Sequence, residues 1–226
     1  GLLGLTARLF VGPGDMVVTS AGGYPTFDFH VTGFGGVLDR VPYRDDRQDA
    51  AGLVDRAAQA GARLVYLCNP DNPMGGWHPP EVIEAALAAL PDDILLILDE
   101  AYAEFAPALP RIHPDDPRII RFRTFSKAYG LASLRVGYAI SSPAIADVLN
   151  RVRQPFNVNS LALAAACAAL ADVEYLAESR RLNDAGMQQL EEGLRALGLS
   201  WIPSRANFIA VDFGRDTAAI NQALLR

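Results

Sequence analysis

Short unbroken apolar runs alternate along the chain with segments in which apolar residues recur every three or four positions. Leu64-Val65-Tyr66-Leu67-Cys68 and Ile94-Leu95-Leu96-Ile97-Leu98 are runs of the first kind, as expected of strands covered on both faces. Residues 16–19, 36–41, 119–124 and 136–140 read as further strands. The helical pattern occupies residues 2–10, 25–32, 49–60, 79–90, 143–153 and 161–170, with Gly12-Pro13-Gly14-Asp15 and Gly61 as stop signals. This alternation predicts a three-layer α/β/α domain around a mainly parallel sheet. A long amphipathic helix over 173–197, rich in Glu and Arg, then changes the character of the chain, and one strand candidate follows at 207–213. We therefore expect a large domain over 1–165 and part of a small α+β domain over 166–226, ending in an amphipathic segment at Arg226.

Composition narrows the function classes. Half of the 226 residues are hydrophobic, enough for one sizeable core. The net charge of -6 is dispersed and includes no basic run, which argues against a nucleic-acid partner. No apolar stretch has the length of a membrane span, and the first residues do not resemble a signal peptide. Cys68 and Cys167 sit far apart in apolar contexts and are expected to be buried free thiols in a reducing compartment. His30, His78 and His113 have no metal-ligand spacing, so no metal is expected. The chain opens at Gly1, without an initiator Met and in a helical pattern already under way, and is read as a piece of a longer protein.

Ligands of open α/β sheets bind beyond the carboxyl ends of the strands, so the polar residues that end apolar runs carry the candidate chemistry. After the run at 64–68 comes Asn69-Pro70-Asp71-Asn72-Pro73-Met74-Gly75, whose Asn-Pro pairs force an extended, rigid turn. Taken alone, it reads equally as a simple turn. Asp99 closes the run at 94–98 and is followed by Glu100-Ala101-Tyr102. A carboxylate there is costly unless paired, and a helix cap or salt bridge would also account for a single Asp. The third group is Thr124-Phe125-Ser126-Lys127-Ala128-Tyr129-Gly130, with Arg135 beyond it. Hydroxyls, an amine and a guanidinium together suit an anion such as phosphate, although a Ser-Lys pair also arises by chance.

The order and spacing of these blocks resemble the class I/II aminotransferases of the pyridoxal 5′-phosphate (PLP) fold-type I superfamily, over essentially the whole chain. The resemblance rests on Pro13-Gly14-Asp15, Tyr24, the 69–75 block, Asp99-Glu100-Ala101-Tyr102, the 124–130 block, Arg135-Val136-Gly137 and Gln154-Pro155-Phe156-Asn157-Val158-Asn159. The wording around Asp99 to Phe105, and Pro155 to Asn159, is most similar to the histidinol-phosphate aminotransferase branch.

The resemblance implies an aspartate-aminotransferase-like large domain and a role for each matching residue. Lys127 would bond the cofactor and later move the proton at the substrate α-carbon. Asp99 would pair with the ring nitrogen, Tyr102 and Asn72 would donate to the ring oxygen, and Tyr24 would stack on the ring, a contact of about 1 kcal/mol beyond its burial. Thr124, Ser126 and Arg135 would hold the phosphate. A cytoplasmic enzyme of amino-acid biosynthesis is implied, most simply one using histidinol phosphate and 2-oxoglutarate. A homodimer is also implied, with the loop at 154–160 reaching toward the neighbouring subunit or serving as an ordinary connection. Met74 departs from the family's usual Thr, a change expected to leave activity in place. Other parts of the family's site would lie before Gly1 and beyond Arg226, so the piece alone is expected to be weakly active or inactive. A decarboxylase of the same branch, an aromatic or broad-specificity aminotransferase and an aminotransferase-like sensor domain are the competing readings. A plain nucleotide-binding domain is disfavoured by the absence of a Gly-rich phosphate loop.

Overall fold

Every side chain of β3 (Leu64–Cys68) is buried, and alternate ones enter opposite layers. Val65 and Leu67 join one apolar cluster, and Leu64, Tyr66 and Cys68 join the other. The computed structural model describes residues 1–225, and in it this period of two organises the whole large sheet. Val65 and Leu67 pack on α3 (Ala50–Ala60) and α4 (Pro80–Ala89), through Leu53, Val54, Ala57, Ile83 and Leu87. The other face is covered by α1 (Leu2–Phe10), α2 (Thr26–Gly33) and α5 (Pro143–Val152), through Ala7, Phe27, Val31, Ile145 and Leu149.

Six strands form this sheet in the order β2-β1-β3-β4-β5-β6, where β1 is Met16–Ser20, β2 Val37–Val41, β4 Leu95–Asp99, β5 Ile119–Thr124 and β6 Gly137–Ile140. All neighbours are parallel except β5 and β6, which run antiparallel from Arg121↔Ile140 to Thr124↔Gly137. The expected three-layer α/β/α architecture is thus present. Local signals fix the helix ends. Asp49 caps α3 by accepting from the Gly52 amide at 3.0 Å, and Gly61 ends it in the left-handed region at φ 59°. Ser142 precedes Pro143 at the start of α5, and Asn159 caps α6 (Ser160–Ala171).

Residue 165, where a domain boundary was expected, falls inside α6. Ala162 and Ala166 of that helix are buried with Phe125, Tyr129 and Val136 against the loop that follows β5. The chain turns sharply at Asp172, which ends α6 and caps α7 (Val173–Ala196). After α7 come β7 (Ser200–Ile202) and β8 (Ala210–Asp212), an antiparallel pair, and then α8 (Ala218–Leu224). The strand expected over 207–213 is thus shorter, and its partner β7 is too brief for periodicity to reveal. Arg226 lies outside the described residues.

One cysteine departs from expectation. Cys68 is buried, but Cys167 is exposed, because α6 is apolar around its whole circumference and only the Ala162–Ala166 side meets the protein. No single helix among the described residues is long and apolar enough to cross a membrane, and α6 with α7 reaches that length only as a pair bent by 78°.

Candidate active site

In the order β2-β1-β3, the chain leaves β1 to one side for β2 and returns to the other for β3, which makes a crevice at the carboxyl ends of the strands. A cleft of about 1010 Å³ opens there. Tyr24, Asn72, Asp99, Tyr102, Thr124, Ser126, Lys127 and Arg135 all line it. They end or follow β1, β3, β4 and β5 in turn, so parallel pairing gathers residues that are distant in sequence.

Asp99 is held on both oxygens. The Tyr66 hydroxyl donates to Oδ2 at 2.7 Å, and the Ala101 amide donates to Oδ1 at 3.0 Å. Burial pushes its carboxyl up, while the Tyr66 hydroxyl, the Ala101 amide and the Lys127 ammonium favour the ionised form. Glu100 points to the opposite face of the strand, where it is buried and receives Arg121 (Nε 3.0 Å, Nη2 2.8 Å) and Arg123 (Nε 2.8 Å). Arg123 also reaches Glu104 at 3.1 Å. The adjacent acids therefore do different work: Asp99 faces the cleft, and Glu100 ties the end of β4 to β5.

Tyr102 is buried, and its hydroxyl receives the Asn72 side-chain amide at 3.0 Å. The Lys127 ammonium lies over the same ring, 5.1 Å from its centroid. Thr124 Oγ1 accepts from the Ser126 amide at 3.1 Å, which shapes the loop that presents Ser126 and Lys127. Arg135 takes a left-handed backbone at φ 52°, unusual for a residue with a long side chain, and donates to the Ala132 carbonyl at 2.7 Å. Tyr24 stands 49% exposed at the rim.

The Asn-Pro turn is braced from below, and both of its Asn-Pro bonds are cis. Asp71 is buried and accepts from the Tyr43 hydroxyl at 2.9 Å and the Gln48 side chain at 2.7 Å. Burial pushes its carboxyl up to about 6, against the pull of these donors. Gln48 also accepts from the Cys68 amide at 2.9 Å, and its backbone carbonyl accepts from His78 Nε2 at 2.6 Å. Asn69 completes the brace, bonding the His78 backbone in both directions at 2.8 and 3.0 Å. Burial pushes the Cys68 thiol up, as do Asp99 and Asp71, and its Sγ donates to the Pro70 carbonyl at 3.2 Å.

Sequence reasoning missed Tyr66, Gln48 and Asp71 as part of this arrangement, and Phe208 as a neighbour of Tyr102. The usable signal for Tyr66 was a phenol inside an otherwise aliphatic strand, on the same side as Cys68. Gly75, at φ 75°, packs against Ser204 so closely that an added Cβ would collide with it, and its carbonyl accepts from the Arg205 amide at 2.8 Å. The segment after β7 therefore closes over the Asn-Pro turn.

A mainly parallel sheet with a lysine, a strand-end carboxylate and a hydroxyl–guanidinium cluster at one crevice defines the aspartate-aminotransferase-like fold. The chain matches the family model for aminotransferase class I and II over residues 1–226 and belongs to that family. It is 51% identical over 232 aligned positions to histidinol-phosphate aminotransferase 2 of Pseudomonas fluorescens, covering 100% of this chain and 62% of that protein. Among solved structures, a histidinol-phosphate aminotransferase of Sinorhizobium meliloti in complex with PLP superposes with a TM-score of 0.94 at 49% identity, over 98% of this chain and 61% of that one. An L-threonine-O-3-phosphate decarboxylase of Porphyromonas gingivalis shares the fold at a TM-score of 0.81 and 22% identity, over 96% of this chain and 65% of that one. The chain thus spans about 62% of the length of the first curated relatives it matches.

Proposed function

We propose that the protein containing this chain is a PLP-dependent aminotransferase that transfers the amino group of histidinol phosphate to 2-oxoglutarate. The observation that carries the reading is the convergence of all eight family-matching residues on one cleft, in a chain half identical to histidinol-phosphate aminotransferases. The donor set suits the cofactor: a lysine amine, a carboxylate at the end of a buried strand, two neutral donors joined to each other and a hydroxyl–guanidinium group.

When bound, PLP supplies a carbonyl carbon that can take up an amino group and a ring that accepts electron density. Lys127 would hold it covalently and, once released, would carry a proton to and from the substrate α-carbon. Asp99 would accept a hydrogen bond from the ring nitrogen, and its ionised form would keep that nitrogen protonated. Tyr102 and Asn72 donate to the ring oxygen, and the Asn72–Tyr102 bond fixes the direction from which they do so. Ser126 and Arg135 bind the phosphate, with Thr124 shaping the loop between them. Tyr24, at the rim, would stack on the ring.

The reading includes a cytoplasmic homodimer. The loop at 154–160 supports it: Phe156 is 97% exposed at φ 54°, an apolar ring that a second subunit would cover.

The test is a visible absorption titration of the full-length protein with PLP, beside Lys127→Ala. A cofactor band that requires Lys127, and that histidinol phosphate bleaches with formation of the matching amino acid from 2-oxoglutarate, is the expected result. A band indifferent to Lys127 would sink the lysine assignment, and release of CO2 from the substrate would replace transamination by decarboxylation.

A further inference from the structure

β3 consists of four apolar residues and one phenol, Tyr66, which is 2% exposed. Its ring fills core volume as a phenylalanine would, stacked on Phe27 with centroids 4.8 Å apart and planes 19° from parallel. Packing therefore accounts for the ring and leaves the hydroxyl unexplained, and a buried hydroxyl is costly unless it is bonded. It donates to Asp99 Oδ2 at 2.7 Å, the length of a charge-assisted bond. Register explains the meeting: Cys68 pairs with Asp99 across parallel strands, and Tyr66 lies two residues earlier on the same face as Cys68.

We propose that Tyr66 is a positioning residue that holds the Asp99 carboxylate, through this hydrogen bond, in the ionised form and orientation that a protonated ring nitrogen requires. The inference rests on the functional reading above and extends it to a residue outside the family-matching set.

The groups that face Asp99 show why the hydroxyl matters. From β3 come Tyr66 and Cys68, from its own strand end Glu100 and the Ala101 amide, and from the loop after β5 Lys127. Burial and Glu100 favour the neutral acid, and Tyr66, the Ala101 amide and Lys127 favour the carboxylate. Lys127 would be joined to the cofactor and later released, so its placement toward Asp99 would change within one turnover, and burial pushes the Cys68 thiol up. Tyr66, by contrast, is fixed in the core by its stacking on Phe27 while it donates to Asp99.

The experiment compares full-length parent, Tyr66→Phe and Asp99→Asn. In the cofactor-free proteins, the infrared band of the protonated Asp99 carboxyl, identified by its loss in Asp99→Asn, is titrated with pH. Its midpoint is expected to rise by about one pH unit in Tyr66→Phe, a tenfold change in proton affinity. PLP affinity, read by absorbance titration, is expected to fall roughly tenfold. An unchanged midpoint overturns the proposal whatever the affinity does. A parent that binds no PLP, with a midpoint that still moves, overturns the functional reading instead and with it the role of Tyr66 toward a ring.

Discussion

The ring of Phe208 meets the ring of Tyr102 edge-on, with centroids 5.2 Å apart and planes at 82°. Phe208 belongs to the stretch between β7 and β8, and Tyr102 to the turn that follows β4. The contact places the later part of the chain against a group in the cleft, and Asn183 supports it by donating to the Ala206 carbonyl at 3.2 Å. Phe208→Ala removes an aromatic pair worth about 1 kcal/mol beyond its burial. Affinity for PLP, measured by absorbance titration of the full-length protein, should fall by roughly three- to tenfold. Unchanged affinity would show that Tyr102 is oriented without Phe208.

Asn72→Ala leaves the Tyr102 hydroxyl without the donor that reaches it at 3.0 Å. A neutral hydrogen bond contributes about 1 kcal/mol, so kcat/KM for histidinol phosphate should drop roughly fivefold or more. A loss confined to KM would instead place Asn72 in substrate binding rather than in the geometry around Tyr102.

Asp71 links pH to stability. Its folded-state carboxyl titrates at about 6, above the ordinary 3.8, because it is buried. Its contribution to stability is therefore fully present below the ordinary value and is lost as pH rises through about 6. Urea unfolding of parent and Asp71→Asn, compared at pH 4 and pH 6.5, should show the parent losing on the order of 2 kcal/mol relative to the variant. A constant difference would mean that Asp71 does not titrate in this window.

Glu100→Gln should unfold the chain far more readily than its position beside the cleft suggests. It leaves two largely covered guanidiniums, Arg121 and Arg123, short of charge beside a buried site, and breaking buried pairs costs about 3–5 kcal/mol. Glu178→Gln, in the exposed pair with Arg181 on α7, should leave the melting temperature unchanged. Equal effects in the two variants would deny the Glu100 cluster its structural role.

Much of this was legible in the residues. The aliphatic runs at 64–68 and 94–98 locate two central strands because burial on both faces leaves no polar positions, and Asn72, Asp99 and Tyr102 just beyond them reach the cleft. Family resemblance reached eight residues that line the cleft. Gln48 and Asp71 escaped because they act through a brace formed only when the 43–48 stretch crosses under the Asn-Pro turn, a contact that no local pattern encodes. Tyr66 escaped because an apolar-run reading counts its ring and ignores its hydroxyl. Cys167 was misplaced because a helix of alanine and leucine has no polar side to reveal which face looks outward.

The pairing of β3, β4 and β5 has a consequence for how the protein is made. Asn72, Asp99 and Lys127 become neighbours only when strands about thirty residues apart in sequence have zipped in register, so no local segment can host the cofactor on its own. If the protein binds PLP as proposed, that binding is an all-or-none reporter of the completed sheet. A ligand that binds only the finished arrangement also draws the nascent chain toward it by mass action. On the proposed reading, cofactor supply during synthesis would raise the share of chains that reach the native arrangement.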